Sequence, residues 1–357
     1  MPGFLPRREM LLAGASWGLT SILRDARGEV AAPVDVHGRI RQEANLAPLA
    51  MRFTGSTAAE ATAWQRQFGD KLRSLLGDFA PPKTWQTVVE NRVEKADHTR
   101  EELLLSAEGY PTLPVAVLTP SVKAQRRRAG LLMLHGHGPR GNLAIAEGEN
   151  SGLKMVRAGY VVATPCFTPF GRRLDGPDAY GKQDACGISF IRLQLLGKLL
   201  IAENLRDALW ALELLARRDD VDTERLGCAG LSYGGRMTML AAAVEPRIKA
   251  AVVSGALNVL QERILGRYSC GAQVIPGLLQ FGDVPEIGGL IAPRPAVWEW
   301  GSQDSLIDPA RAEDAIARMQ KPYAALGESD SLVIDRFDGG HQWSWQRGES
   351  MLEKALA

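Results

Sequence analysis

Histidine is scarce in this chain, with five in 357 residues, at positions 37, 98, 135, 137 and 341. Any chemistry that needs an imidazole therefore has few places to find one. Cysteine is scarcer still. Cys166, Cys186, Cys228 and Cys270 are widely spaced and form no C-x-x-C pair, so neither a zinc site nor a disulfide framework is signalled. They read as structural thiols; one disulfide stays open for an exported protein, and spacing does not say which pair would form it. Excess charge of one sign is also lacking: 42 Lys and Arg stand against 41 Asp and Glu, for a formal net charge of +1. No summed field draws the protein to nucleic acid or to an anionic membrane surface. The one basic cluster, Lys123-Ala-Gln-Arg-Arg-Arg128, lacks interleaved aromatics and reads as a solvated loop. The apolar run Met10 to Leu23 near the N-terminus is too short to span a bilayer comfortably.

Arg7-Arg8 stands directly before that run, the pattern of a twin-arginine signal peptide. Residues 1–27 are read as that signal and the protein as exported. No clean small-x-small cleavage site follows, so a disordered or amphipathic N-terminus on a cytoplasmic enzyme is the alternative. The segment from Ser56 to Phe79 opens on a capping serine and spaces Ala61, Trp64, Phe68, Leu72 and Leu75 at helical intervals. From Thr84, three runs rich in Val, Leu and Thr predict antiparallel strands: TWQTVVENRV, REELLLSA and LPVAVLTP. From residue 130 apolar strands alternate with helices, among them one long helical stretch ending in LRDALWALELLARR. Such alternation predicts a mostly parallel sheet with helices on both faces. Residues 166–195 and 258–290 are longer than ordinary connections and follow strand C-terminal ends, so they are expected to wall a substrate pocket.

The stretch RLGCAGLSYGGRMTMLAAA, Arg225 to Ala243, places Ser232 between glycines where a strand-like run becomes a helix-like one. A tight strand-to-helix turn forces its central residue into strained backbone, and flanking glycines remove side chains that would clash there. The hydroxyl is held out above the sheet, and the first helical turn aims N–H groups at charge developing on a bound carbonyl. Ser232 is therefore the expected nucleophile of an acyl transfer.

A serine needs a base, and in the elbow arrangement the partners follow in the order Ser, acid, His. His341, in FDGGHQWS, is the only histidine after Ser232 and is assigned as the base. Asp304 follows the strand ending at Gly301 and is assigned as the acid. Asp308 is its rival but stands before Pro309, where capping a helix is the expected role; Asp338 precedes His341 too closely to face it. The backbone N–H groups of Tyr233 and of His137, in the glycine-rich turn HGHG, are assigned as oxyanion donors, with Gly138 as the alternative to His137. A bare H-x-H without Cys, Asp or Glu at ligand spacing gives no reason to read a zinc site.

These segments together resemble an α/β-hydrolase, and within it the esterase group of acetyl xylan esterases and dienelactone-hydrolase-like proteins. The likeness runs from about residue 100 to the end and is most particular in CGAQVIPGLLQFGDVPEIGGLIAPRP. It implies an α/β fold with a mostly parallel sheet and irregular insertions over the active site; length and composition suit a single domain, read over 28–357 with an N-terminal extension at 28–129. It also implies a carboxylic ester hydrolase that needs no metal or organic cofactor, with a small-molecule or carbohydrate ester, acetylated sugars above all, as its partner. Dienelactone hydrolase is known for a cysteine nucleophile; Ser232 stands here instead, and Cys228 lies inside the preceding strand. GLSYGGRMTM also resembles the elbow of prolyl-oligopeptidase-like peptidases, but the region before residue 130 is too small for their β-propeller, which leaves only an uncapped form of that reading. A hydrolase fold that has lost catalysis and serves as a binding module is the other alternative.

Trp298, Trp300, Trp343 and Trp345 flank the acid and the base. Indole faces stack on sugars, but Trp298 and Trp300, alternating on a buried strand, read more simply as core. Arg172 and Arg173 are read either as solvated or as recognising an anionic group.

Overall fold

The computed structural model describes residues 35–174, 184–266 and 270–357. The twin-arginine segment and its cleavage site lie outside the described residues. The chain divides into two units, Met1–Glu43 and Ala44–Ala357. In the first, the described residues enter the helix Val36–Asn45. The second holds everything that follows.

Nine strands form one sheet in the order β1-β2-β3-β5-β4-β6-β7-β8-β9. The three runs of Val, Leu and Thr are β1 (Gln86–Glu94), β2 (His98–Ser106) and β3 (Leu113–Pro120). They pair antiparallel, and β3 pairs antiparallel with β5 (Val161–Pro165). From β5 across β4 (Arg128–Leu134), β6 (Val221–Leu231), β7 (Ile248–Ser254), β8 (Ala296–Gly301) and β9 (Leu332–Phe337), every pairing is parallel. Parallel strands are covered on both faces and read as continuous apolar runs. Accordingly, Leu131 to Leu134 and Ala251 to Val253 are wholly buried.

Alternation divides those side chains between two cores. Leu132, Leu134, Cys228, Val253 and Trp298 pack with the helices Leu200–Ala216 and Tyr233–Val244. Leu131, Met133, Ala229, Val252 and Val297 pack on the other face with Met155, Val156 and Leu352. The chain leaves β4 for β5 and then returns past it to β6, so strand order reverses between β4 and β6. A crevice opens outside the carboxyl ends of strands at such a reversal.

Local expectations need two corrections. The helix Ala58–Leu76 is capped by Thr57, not Ser56: the Thr57 hydroxyl accepts from the Glu60 N–H while the Glu60 carboxylate accepts from the Thr57 N–H, a complete capping box. Two helices precede β6, Ala185–Leu195 and then Leu200–Ala216, bent by 98°: the second is the long helix expected there, and the first lies in residues expected to be irregular. Gly197, at φ 69°, takes the left-handed backbone that ends the first. The last 11 residues of the segment 166–195 are thus helical. Among the described residues no single helix is long and apolar enough to cross a membrane.

Candidate active site

Ser232 joins β6 to the helix Tyr233–Val244 at φ 64° and ψ −121°. This backbone is strained for a side-chain-bearing residue. Its surroundings hold it there. A Cβ on Gly230 would sit 2.2 Å from the Gly234 carbonyl oxygen, one on Gly234 would sit 1.9 Å from that of Leu134, and one on Gly235 would sit 2.3 Å from that of Ser254. Three glycines therefore let the elbow press against the ends of β4 and β7, and the Ser232 N–H donates to the Ser254 carbonyl at 2.9 Å. The serine itself is half-buried at the sheet's carboxyl edge.

Asp304 and His341 leave neighbouring strands, β8 and β9, at the same edge. His341 Nδ1 lies 2.7 Å from an Asp304 carboxylate oxygen. The other carboxylate oxygen accepts from the Leu306 N–H at 2.9 Å. The Asp304 side chain is 1% exposed and that of His341 is 29% exposed. With its Nδ1–H donated to Asp304, the imidazole has Nε2 free as a proton acceptor. The ring lies over Gly255, where a Cβ would come within 2.8 Å of His341 Cε1 and 3.1 Å of Leu231 Cδ1. Gly255 follows the residue whose carbonyl receives the Ser232 N–H, so nucleophile and base converge on the end of β7.

The loop that carries His341 is pinned by two carboxylates that sequence reasoning missed. Glu299, buried in β8, accepts from the N–H groups of Ser344 at 3.2 Å and Trp345 at 2.9 Å. Burial pushes its pKa up, and these two N–H donors oppose that shift. Asp335 of β9 accepts from the Ser344 hydroxyl at 2.9 Å and the Arg347 N–H at 3.1 Å. The signal was present: a glutamate in the middle of VWEW, an otherwise apolar buried strand, calls for partners.

The turn after β4 forms the opposite wall. A Cβ on Gly136 would lie 3.2 Å from Ser232 Cβ, which places this turn against the serine. His135 is 1% exposed; its Nε2 accepts from the Phe167 N–H at 2.9 Å and its Nδ1 lies 2.8 Å from the Gly136 carbonyl. Burial lowers its pKa to about 4, so the ring is neutral and braces the turn. The His137 ring stands edge-on to Phe170 and Tyr233, and its Nε2 lies 2.9 Å from Cys270 Sγ. Tyr233 is fully buried, its hydroxyl accepting from the Asn204 amide at 2.7 Å. The N–H groups of the first helical turn have no partner within the helix, and those of Tyr233 and the His137 turn are the donors assigned to an oxyanion.

The remaining candidates lie elsewhere. Asp308 caps Pro309–Ala325, accepting from the N–H groups of Ala310 and Arg311. Asp338 accepts from Ser302 and Gln303. Trp298 and Trp300 are core, while Trp343 is half-buried and stacks on buried Trp345 at 4.5 Å. Arg172 pairs with Glu90, and Arg173 with the fully buried Asp207; neither is a free cation waiting for a substrate anion. Cys228 is buried in β6.

Comparison with known proteins bears on the fold. The model of the prolyl oligopeptidase family (peptidase S9) matches residues 197–260, the stretch that contains the elbow. YtaP of Bacillus subtilis strain 168, assigned as a hydrolase, is 29% identical over 287 residues, which cover 76% of this chain and 92% of the relative. Among solved structures, a Bacteroides fragilis protein assigned as an acetyl xylan esterase superposes with a TM-score of 0.73 at 17% identity, covering 88% of this chain and 84% of its own. A glucuronoyl esterase from Teredinibacter turnerae superposes with a TM-score of 0.62 at 17% identity, covering 88% and 90%. At such identity the likeness is one of fold.

Proposed function

On an α/β-hydrolase fold that gathers Ser232, His341 and Asp304 at one sheet edge, we propose a serine carboxylic ester hydrolase acting on acetylated carbohydrates. The observation that carries this reading is the 2.7 Å contact between His341 and Asp304 at the strand edge where Ser232 stands on its elbow. His341 Nε2 takes the Ser232 proton as the hydroxyl attacks the ester carbonyl. Asp304 keeps the ring in the tautomer this needs and stabilises the imidazolium. The N–H groups of Tyr233 and His137 bind the oxyanion, the alcohol departs with the proton from His341, and water repeats the attack on the acyl-serine to release the acid. None of these steps calls for a metal or an organic cofactor.

The substrate class rests on the company this fold keeps: structural neighbours are assigned as an acetyl xylan esterase and a glucuronoyl esterase. The match of residues 197–260 to a peptidase family favours a second reading, an uncapped peptidase. The region before β4 supplies strands of the same sheet and no propeller among the described residues. Two assays separate the readings: hydrolysis of p-nitrophenyl esters from acetyl to long acyl, and of aminoacyl anilides, by wild type and Ser232→Ala. Preference for acetyl, lost by about 10⁴-fold or more in Ser232→Ala, is expected; cleavage of anilides alone would refute the esterase. The twin arginines further suggest export, which fractionation of cells carrying Arg7→Lys, Arg8→Lys would test by retention of precursor in the cytoplasm.

A further inference from the structure

One imidazole nitrogen and two sulfurs from distant parts of the chain converge beside the turn after β4. His137 Nε2, Cys186 Sγ and Cys270 Sγ all lie within 4.8 Å of one another. We propose that these three side chains form a binding site for a zinc-class divalent cation, with a fourth position left for water. The inference goes beyond ester hydrolysis and does not rest on it.

The chemistry of the donor set points to the cation. Zn–S bonds of about 2.3 Å and Zn–N bonds of about 2.0–2.1 Å set tetrahedral ligand atoms about 3.5–3.8 Å apart; this lies within the 4.8 Å envelope, and the 2.9 Å His137–Cys270 contact would open by a side-chain shift to admit the ion. Two thiolates and one imidazole suit zinc and disfavour magnesium or calcium. Cys186 and Cys270 are 3% and 6% exposed, whereas His137 is exposed, so the sulfurs are buried while the imidazole meets solvent.

Each ligand is also held from behind, as metal ligands are. The His137 ring is clamped edge-on by Phe170 at 5.1 Å and Tyr233 at 5.3 Å, which aims Nε2 at the sulfurs. Asp184 caps the helix Ala185–Leu195 by accepting from the Cys186 N–H at 3.0 Å. Gln273 approaches Cys270 Sγ through its amide nitrogen at 3.7 Å. The segments that carry the sulfurs are pressed together: a Cβ on Gly271 would come within 2.4 Å of Phe190 Cβ and 3.2 Å of the Cys186 carbonyl oxygen. A cation here ties the turn beside Ser232 to both segments expected to wall the pocket, and its binding adds to folding stability. A Cys186–Cys270 disulfide would use the same sulfurs but leave His137 out; the convergence of three donors rather than two favours the cation.

The test uses the full chain, reduced and freed of metal, titrated anaerobically with Co(II) as the probe. One equivalent is expected to produce a thiolate-to-cobalt charge-transfer band with tetrahedral d–d bands, displaced by one equivalent of Zn(II) with a rise in Tm. Cys186→Ser and Cys270→Ser should lose the charge-transfer intensity stepwise, while Cys166→Ser and Cys228→Ser keep it. Matching far-ultraviolet circular dichroism of the metal-free forms separates lost binding from lost folding, and should a serine variant not fold, His137→Gln is read in the same way. Absence of the bands in the reduced wild type, their survival in the Cys186→Ser, Cys270→Ser double variant, or closure of a Cys186–Cys270 disulfide in place of cobalt uptake would overturn the site.

Discussion

Asp304 and His341 meet at 2.7 Å although 37 residues separate them. The reason is register. β8 and β9 run parallel with Gly301 opposite Phe337, so the loops leaving the two strands arrive side by side. Asp308, four residues further on, has already been taken by the helix Pro309–Ala325.

This division of labour predicts opposite phenotypes for the two aspartates. Asp304→Asn should lower kcat on the order of 10⁴-fold with little change in stability, since the amide favours the wrong imidazole tautomer. Asp308→Ala should keep kcat and lose about 1 kcal/mol of stability with the cap. Ester kinetics and denaturant unfolding of both variants check the pair, and the reverse pattern would move the acid to Asp308.

Gly255 is expected to act through His341. Its φ of 59° and the 2.8 Å approach of a Cβ to His341 Cε1 leave no room for alanine. Gly255→Ala should displace the ring and lower kcat by about 10²-fold or more, with KM changed far less. Steady-state kinetics read the split; unchanged kcat would mean that the ring does not work from this position.

His135 predicts a pH signature in stability. Burial keeps its folded-state pKa at about 4, against 6.5 for the free side chain. The unfolded chain therefore takes up a proton near 6.5 and the folded chain only near 4. Its neutral form contributes fully above pH 6.5, and the contribution, up to about 3 kcal/mol, is lost as pH falls from 6.5 to 4. His135→Gln removes this proton linkage. Urea unfolding at several pH values should show the gap between wild type and variant narrowing as pH falls through that window, and a constant gap would contradict it.

Glu299 predicts a loop effect. Glu299→Gln removes a charged acceptor from the N–H groups of Ser344 and Trp345, so about 1–3 kcal/mol of stability should be lost. His341, three residues before Ser344, should be less well placed, so kcat falls while Asp304→Asn adds little further loss in the double variant. Full additivity would show that Glu299 supports the fold and not the site.

Sequence carried the elbow, the Ser, acid, His order and the parallel sheet because each has a local signature: glycines that only a close approach explains, apolar runs of strand length, and a single histidine after the serine. It could not reveal what depends on register. Glu299 and Asp335 stand on different strands, and only their pairing shows that both hold one loop. His137, Cys186 and Cys270 carry no motif, since ligand spacing along the chain says nothing of donors brought together from three distant segments. The helix Ala185–Leu195 was missed because it follows a run rich in Gly, Arg and Asp that reads as irregular.

The most direct measurement is covalent labelling of the intact protein with a p-nitrophenyl phosphonate ester, followed by peptide mapping. One phosphonyl group on Ser232, formed with release of one equivalent of p-nitrophenol and slowed strongly by His341→Ala, is the predicted result. Wild-type protein that stays unlabelled at Ser232 while hydrolysing esters, or that labels elsewhere, would contradict the assignment of the nucleophile.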